Sequence, residues 1–481
     1  MTTEQNPPKS AVYRRADALD ALRGIAILTM ILSGTIPFAG ALPAWMYHAQ
    51  VPPPNHQFNP DIPGLTWVDL VFPLFIFALG AAIPLAQSRR LAQGWTQTQI
   101  ILSIFKRGFL LVVFAIASQH FRPFVLNPEP NANTWTLAVA GFSILFLMFV
   151  QLPKSVPKRI QIAVTVIGWW TAIIFLSTLQ YPHDEKYKAF SLYRSDIIIL
   201  VLANVAVFTS LLWLFSRNRI DLRLGVLALL FPLLLSFNEG GWNTQFLKVS
   251  GIPWLFNFDY LKYLFISIPA TLVGDLIFNW IESRDRPIQP SWKNNRYVLI
   301  SLISLSLILT LLIGIQARWL EQTALLSLLF FVWGFVFVQN PQNSTERLVK
   351  SLYLWACYWL VLGMAFEPYQ GGIKKDSATM SYFFITTAIS IFLLVILIIV
   401  IHIWNQKGGL QIFIDNGKNP MLAYVAFGNF LWPILELTGW QNQIIEMTQA
   451  PILGFFRGLT YTTIVAILVS LCTRLKLFWK T

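Results

Sequence analysis

Charge is scarce in this sequence. Asp, Glu, Lys and Arg make up 12% of its 481 residues, against about 25% in soluble domains, which excludes a large water-exposed domain. Cysteine is rarer still: Cys357 and Cys472 are the only two. Both sit inside apolar runs, which argues against a disulfide framework. There is no G-x-x-x-x-G-K-[ST] phosphate loop and no metal-finger spacing, so neither a phosphate-loop NTPase nor a structural zinc site has sequence support, and no metal is expected. Met1 to Arg15 is polar, holds Pro7 and Pro8, and lacks an apolar stretch followed by a small-residue cleavage site. The expectation is no signal peptide and a first span that acts as an uncleaved anchor.

What the chain has instead is apolar length. Hydrophobic residues make up 56%, in runs such as Tyr297–Ile315 and Phe384–Trp404. Such runs match a bilayer core of ~30 Å at ~1.5 Å per residue. In lipid the backbone must satisfy itself, which favours helices, and the runs do not alternate as barrel strands would. The fold class is therefore an all-α polytopic transmembrane helix bundle of about 14 spans. They run roughly over 22–42, 66–86, 100–119, 134–151, 160–179, 196–215, 222–238, 260–281, 296–315, 322–339, 351–365, 380–403, 419–437 and 453–472, with ends uncertain by ~2–4 residues. Residues 1–21 form a cytoplasmic segment and 22–481 a single domain, with no clear internal repeat. The net charge of +13 suggests nucleic acid at first sight, but its distribution argues otherwise. With the N-terminus inside, 25 of the 35 Lys and Arg residues fall on the cytoplasmic side, as the positive-inside rule requires. They meet anionic lipid headgroups there, so membrane lipid rather than nucleic acid is the expected partner. The same count puts the C-terminus inside.

The first outer loop, Pro43 to Leu65, has no Lys or Arg but holds His48 and His56. An imidazole can accept a proton or carry an acyl group near neutrality. Beside Trp45, Met46 and Tyr47, His48 also fits an ordinary aromatic belt. His56 to Asp61 spells H-x4-D, an acyltransferase-like spacing, but on the wrong side for cytoplasmic acyl-CoA and in a proline-stiffened loop. His56 is read as a substrate contact. Asp69 opens the second span, where a carboxylate commonly caps a helix. Asp20 and Arg23 form either an i,i+3 pair or, with Lys106 and Arg107, a contact for phosphate. Asp275 caps, pairs with an arginine, or lines a donor path. The polar loop with Glu367, Lys374, Lys375 and Asp376 either closes over an acceptor or merely connects. Asn419-Pro420 fits a capped helix start, with Asn419 kept as a substrate candidate.

The order of these pieces resembles the heparan-α-glucosaminide N-acetyltransferase family and its bacterial relatives, part of a wider group of transmembrane acyltransferases. The resemblance rests on Asp20-Ala21-Leu22-Arg23-Gly24-Ile25-Ala26, on His48-Ala49, and on Gly64-Leu65-Thr66-Trp67-Val68-Asp69-Leu70-Val71-Phe72-Pro73. It continues with Gly372 to Asp376 followed by Met380-Ser381-Tyr382, Gly417-Lys418-Asn419-Pro420, and Leu477 to Lys480. Spans six, seven, nine and ten look inserted. A proline-rich stretch follows His48-Ala49, and Ser33-Gly34 stands where the family has an asparagine. The resemblance implies transfer of an acetyl group from cytoplasmic acetyl-CoA to a glycan or amino sugar across the membrane. It further implies that His48 is catalytic, that Asp69 orients it or holds the acceptor, and that Asp20, Arg23, Lys106, Arg107 and Asp275 lie along the donor's path. A bacterial inner membrane is expected, and a homodimer is left open. A transporter or lipid-handling channel, and a scaffold or export partner without catalysis, are the competing classes.

Overall fold

The computed structural model describes residues 16–38, 42–283 and 291–480. Lys9, Arg14, Arg15, Arg284 and Arg286 lie outside them, as does most of the 1–21 segment. In chain order the long helices begin with α1 (Asp17–Thr35), α2 (Val71–Ala92), α3 (Gln97–His120), α4 (Ala132–Phe149) and α5 (Lys158–Thr178). Then come α6 (Ile197–Ser216), α7 (Ile220–Glu239), α8 (Leu264–Glu282), α9 (Asn294–Gln316) and α10 (Leu320–Phe337). The series closes with α11 (Ser344–Phe366), α12 (Met380–Ile398), the short α13 (Gln411–Lys418), α14 (Pro420–Leu437) and α15 (Pro451–Arg474). The only strand pairing among the described residues joins Val150–Gln151 to Phe478–Trp479. Several starts are fixed by side chains that accept orphan backbone N–H groups: Thr96 with Gln99 at α3, Asn131 at α4, Asp196 at α6 and Asn343 at α11.

Thirteen helices among the described residues are long and apolar enough to cross a membrane. The fourteenth expected span is α7, and a loop contact shows that it traverses the bundle too. Gly64 N–H donates to the Ile373 carbonyl at 2.9 Å, so the loop after α1 and the loop after α11 share one end. That holds only if the number of crossings between them is even, which requires α7. At the other end, Asp17 takes Lys407 at 2.7 Å and Lys418 at 3.6 Å. These pairings explain why α1 begins earlier than hydropathy suggests: its charged first turn is neutralised inside the bundle.

Burial sorts the helices. The apolar windows of α2 and α12 are each 83% buried, whereas those of α5 and α10 are 11% and 17% buried. The former pair forms the core, and the latter two turn apolar side chains outward on most faces, as lipid contact permits. Two glycine contacts set the closest approaches. A methyl on Gly24 would meet the Phe413 carbonyl, and one on Gly417 would meet the Asp20 carbonyl. Two of the sequence motifs thus exist partly to seat α13 on α1. Gly417→Ala is expected to lower the melting temperature of the detergent-solubilised protein through an overpacking cost of about 1–3 kcal/mol. Gly34→Ala, with nothing within 4 Å of the added methyl, should leave it unchanged.

Candidate active site

The loop between α1 and α2 is held by its own polar groups. The Tyr47 hydroxyl donates to the Pro37 carbonyl at 2.7 Å, and Gln50 donates to the Ile62 carbonyl at 3.0 Å. Burial pushes the Tyr47 phenol above its ordinary value, which keeps it protonated as a donor. This frame presents His48. Its Nδ1 lies 2.7 Å from Asp69 Oδ1. The Asp69 side chain is fully buried, while that of His48 is 34% exposed. Asp69 Oδ2 accepts the N–H groups of Ala49 at 3.1 Å and Thr66 at 3.0 Å. The Thr66 hydroxyl lies 2.7 Å from the Tyr47 carbonyl and 3.1 Å from Oδ2, with one proton to share between them. Tyr382, from the core helix α12, donates to the Asp69 backbone carbonyl at 2.9 Å.

A carboxylate only accepts hydrogen bonds, so in the neutral ring Nδ1 carries the proton and Nε2 keeps its lone pair. A buried acid fixing the tautomer of a half-exposed imidazole is the arrangement that makes histidine a general base or a nucleophile. Asp69 lies in the turn Val68–Leu70 and does not cap α2. Its partners are His48 and the loop, which corrects the helix-cap alternative.

The other expected outer residues divide. Lys375 Nζ stands 3.1 Å from His48 Nδ1 and 3.4 Å from Nε2, so the loop after α11 does reach the histidine. His56 has a left-handed backbone (φ 49°), and its ring packs edge-on against Tyr47 at 4.5 Å and Phe38 at 5.3 Å. Neither ring nitrogen has a hydrogen-bond partner among the described residues. Asp61, its H-x4-D companion, is 90% exposed, with Lys374 3.8 Å away. The two do not form a pair. Glu367 is buried against Arg318 at 2.7 Å. Asp376 acts electrostatically on Tyr263 and Tyr382.

At the N-terminal end, Arg23 touches Asp20 at 3.4 Å and donates to the carbonyls of Gly417 at 3.1 Å and Ala78 at 3.4 Å. Arg107 and Arg90 line a small cavity of about 30 Å³ between α2, α3 and α6, together with Gln87, Ser103 and Ser210. The positive charges of Arg23 and Arg90 both act on Arg107. Lys106 is exposed on another face of α3 and does not line this cavity. Asp275 is engaged elsewhere: Arg223 binds one oxygen at 2.6 Å and Trp213 the other at 2.9 Å. Asn419 is buried at this end too, its amide spent on the Leu477 carbonyl (2.8 Å) and the Trp479 N–H (3.0 Å). Its side chain does not cap α14, which corrects that expectation for it; Pro420 does occupy the first turn. Arg90 and Thr66 were missed by sequence reasoning. Arg90 carries no sequence signal beyond its charge, and Thr66 lies three residues before Asp69 in the same motif. Among the described residues, no group of three or more His, Cys, Asp or Glu is placed to hold a metal ion.

Residues 15–277, more than half of the chain, match the family described as Domain of unknown function (DUF5009). The chain belongs to this family. The DUF5009 region runs from α1 into α8, so it contains His48, Asp69 and the arginine cavity but ends before Lys375. A second similarity is to human heparan-alpha-glucosaminide N-acetyltransferase, 32% identical over 107 residues. That stretch covers 22% of this chain and 14% of the human protein. The relationship to that N-acetyltransferase is distant.

Proposed function

We propose that this DUF5009 member is a membrane acyltransferase. In this reading an acetyl group passes from acetyl-CoA, bound at the cytoplasmic end, to an amine or hydroxyl of a glycan or amino sugar at the opposite face of a bacterial inner membrane. The observation that carries it is the His48–Asp69 pair, a loop imidazole with a fixed tautomer whose Nε2 lone pair has Lys375 Nζ beside it at 3.4 Å. The distant relationship to a named N-acetyltransferase supports the same chemistry. His48 would take the acceptor's proton through Nε2 as the nucleophile attacks the thioester, or carry the acetyl group itself. The donor's negative head would lie among Arg23, Arg90 and Arg107, since guanidinium pairs well with phosphate. Its acyl end must then cross most of an apolar core of ~30 Å, which suits a donor with a long thin arm.

The test is transfer of labelled acetyl from acetyl-CoA to a panel of amino sugars and glycans by the purified protein, with coenzyme A binding measured alongside. Failure of both would leave the second reading, a transporter. The Arg223–Asp275 pair favours that reading, because charges paired within membrane-spanning helices commonly mark transport pathways. A further expectation concerns the donor site. Arg107→Glu should raise the apparent KM for acetyl-CoA about tenfold or more, given hydrogen bonds to charged groups worth ~1.5–3 kcal/mol. Lys106→Glu, outside the cavity, should change it little. Equal effects of the two would remove the cavity from consideration.

A further inference from the structure

We propose that Lys375 is a catalytic residue of the acyl transfer, its ammonium holding the oxyanion that forms on the donor's carbonyl oxygen. The proposal rests on the acyltransferase reading above. Lys375 Nζ lies against both nitrogens of His48. Nδ1 has committed its proton to Asp69, so an ammonium cannot donate to it. One ammonium N–H can donate to the Nε2 lone pair across 3.4 Å, and an ammonium has three such donors, so Lys375 is within hydrogen-bond reach of any group that meets Nε2. Among the described residues no carboxylate lies within ion-pair distance of Lys375, whereas its neighbour Lys374 approaches Asp61.

The loop that carries Lys375 is built to hold a fixed position. Gln370, Ser377 and Ala378 all have left-handed backbones, with φ of 57°, 74° and 46°. Non-glycine residues adopt that region at a cost and persist there when the surroundings over-determine them, often at functional sites. The surroundings are visible: the Ile373 carbonyl accepts Gly64 N–H at 2.9 Å, and Thr379 Oγ1 accepts Lys374 N–H at 3.1 Å. Lys375 is therefore fastened to the same outer frame as His48.

The step balances without a further reactant. The acceptor's N–H or O–H gives its proton to His48 Nε2 while its heavy atom bonds to the thioester carbon. The carbonyl π pair moves onto oxygen, where Lys375 donates to it. Collapse reforms the carbonyl and breaks the C–S bond, and the departing thiolate takes the proton from Nε2. The products are the acylated acceptor and a free thiol.

Full-length wild type, Lys375→Met and Lys375→Arg would be compared using labelled acetyl-CoA and glucosamine, or whichever amino sugar the panel identifies. The expected result is a kcat lower by ~10²-fold or more in Lys375→Met, the scale for removing one oxyanion donor. The KM for acetyl-CoA and the melting temperature should be unchanged, and Lys375→Arg should recover part of the loss. Should Lys375→Met fail to fold, Lys375→Gln carries the same comparison. Undiminished kcat overturns the proposal, as does an effect confined to the acceptor's KM, which would make Lys375 an acceptor contact. A wild type inert towards acetyl-CoA sinks the acyltransferase reading and this proposal together. An active wild type matched by an equally active Lys375→Met sinks the proposal alone.

Discussion

His48→Ala should leave the protein folded and inserted while lowering acetyl transfer by at least ~10²-fold, the usual scale for losing a positioned acid–base group. Folding should survive because the imidazole is partly exposed in a loop, so its removal opens no large core cavity. Asp69 would also keep the N–H groups of Ala49 and Thr66, so the buried carboxylate is not orphaned. His56→Ala should cost far less. Its ring packs on Tyr47 and Phe38 and makes no hydrogen bond among the described residues, which suits shaping of the loop rather than proton transfer. Labelled acetyl-CoA without acceptor separates the two possible routes. Label retained on wild-type protein but lost in His48→Ala supports an acetyl-histidine intermediate, and no retained label supports direct transfer. Near-normal turnover by a folded His48→Ala protein would remove His48 from the mechanism.

Hydropathy made most of the fold legible because the length of an apolar run is a local property. It failed where tertiary pairing altered the cost of charge. The seventh span, expected over 222–238, carries Arg223 near its start. In the bundle Arg223 is 1% exposed and bound to Asp275, to the Thr271 hydroxyl and to the Arg217 carbonyl, so the helix extends back to Ile220. The first span begins earlier than hydropathy suggests for the same reason, with Asp17 neutralised by Lys407 and Lys418 from the far end of the chain. At the candidate site, His48 and Asp69 lie 21 residues apart in two neighbouring motifs and are legible together. Lys375 lies 327 residues from His48, and no local pattern reveals that contact. Asn419-Pro420 misled in the opposite direction: a residue pair with a strong helix-start signature gave up the cap to tie down the C-terminal segment.

Asp69→Asn tests whether the carboxylate does more than pack. The amide has nearly the same shape, so the fold should persist, but its two ends are not alike. The N–H groups of Ala49 and Thr66 point at the position of Oδ2, so the asparagine oxygen must face them. Its NH₂ then faces His48 Nδ1 and can only donate. The ring must answer with a lone pair at Nδ1, which moves its proton to Nε2 and leaves nothing there to accept the acceptor's proton. Loss of the charge-assisted hydrogen bond alone is worth ~1.5–3 kcal/mol, roughly a 10- to 100-fold fall in kcat at 1.36 kcal/mol per decade. The tautomer change adds to this. Turnover should therefore fall well below that of His56→Ala, while some activity above His48→Ala survives through the minority tautomer. Donor binding should be unaffected, because the arginines lie at the other end of the bundle. Steady-state kinetics with coenzyme A binding on the same preparation checks the pattern. A folded Asp69→Asn protein with wild-type kcat would mean that Asp69 only holds the loop, and the His48–Asp69 pair would no longer support catalysis.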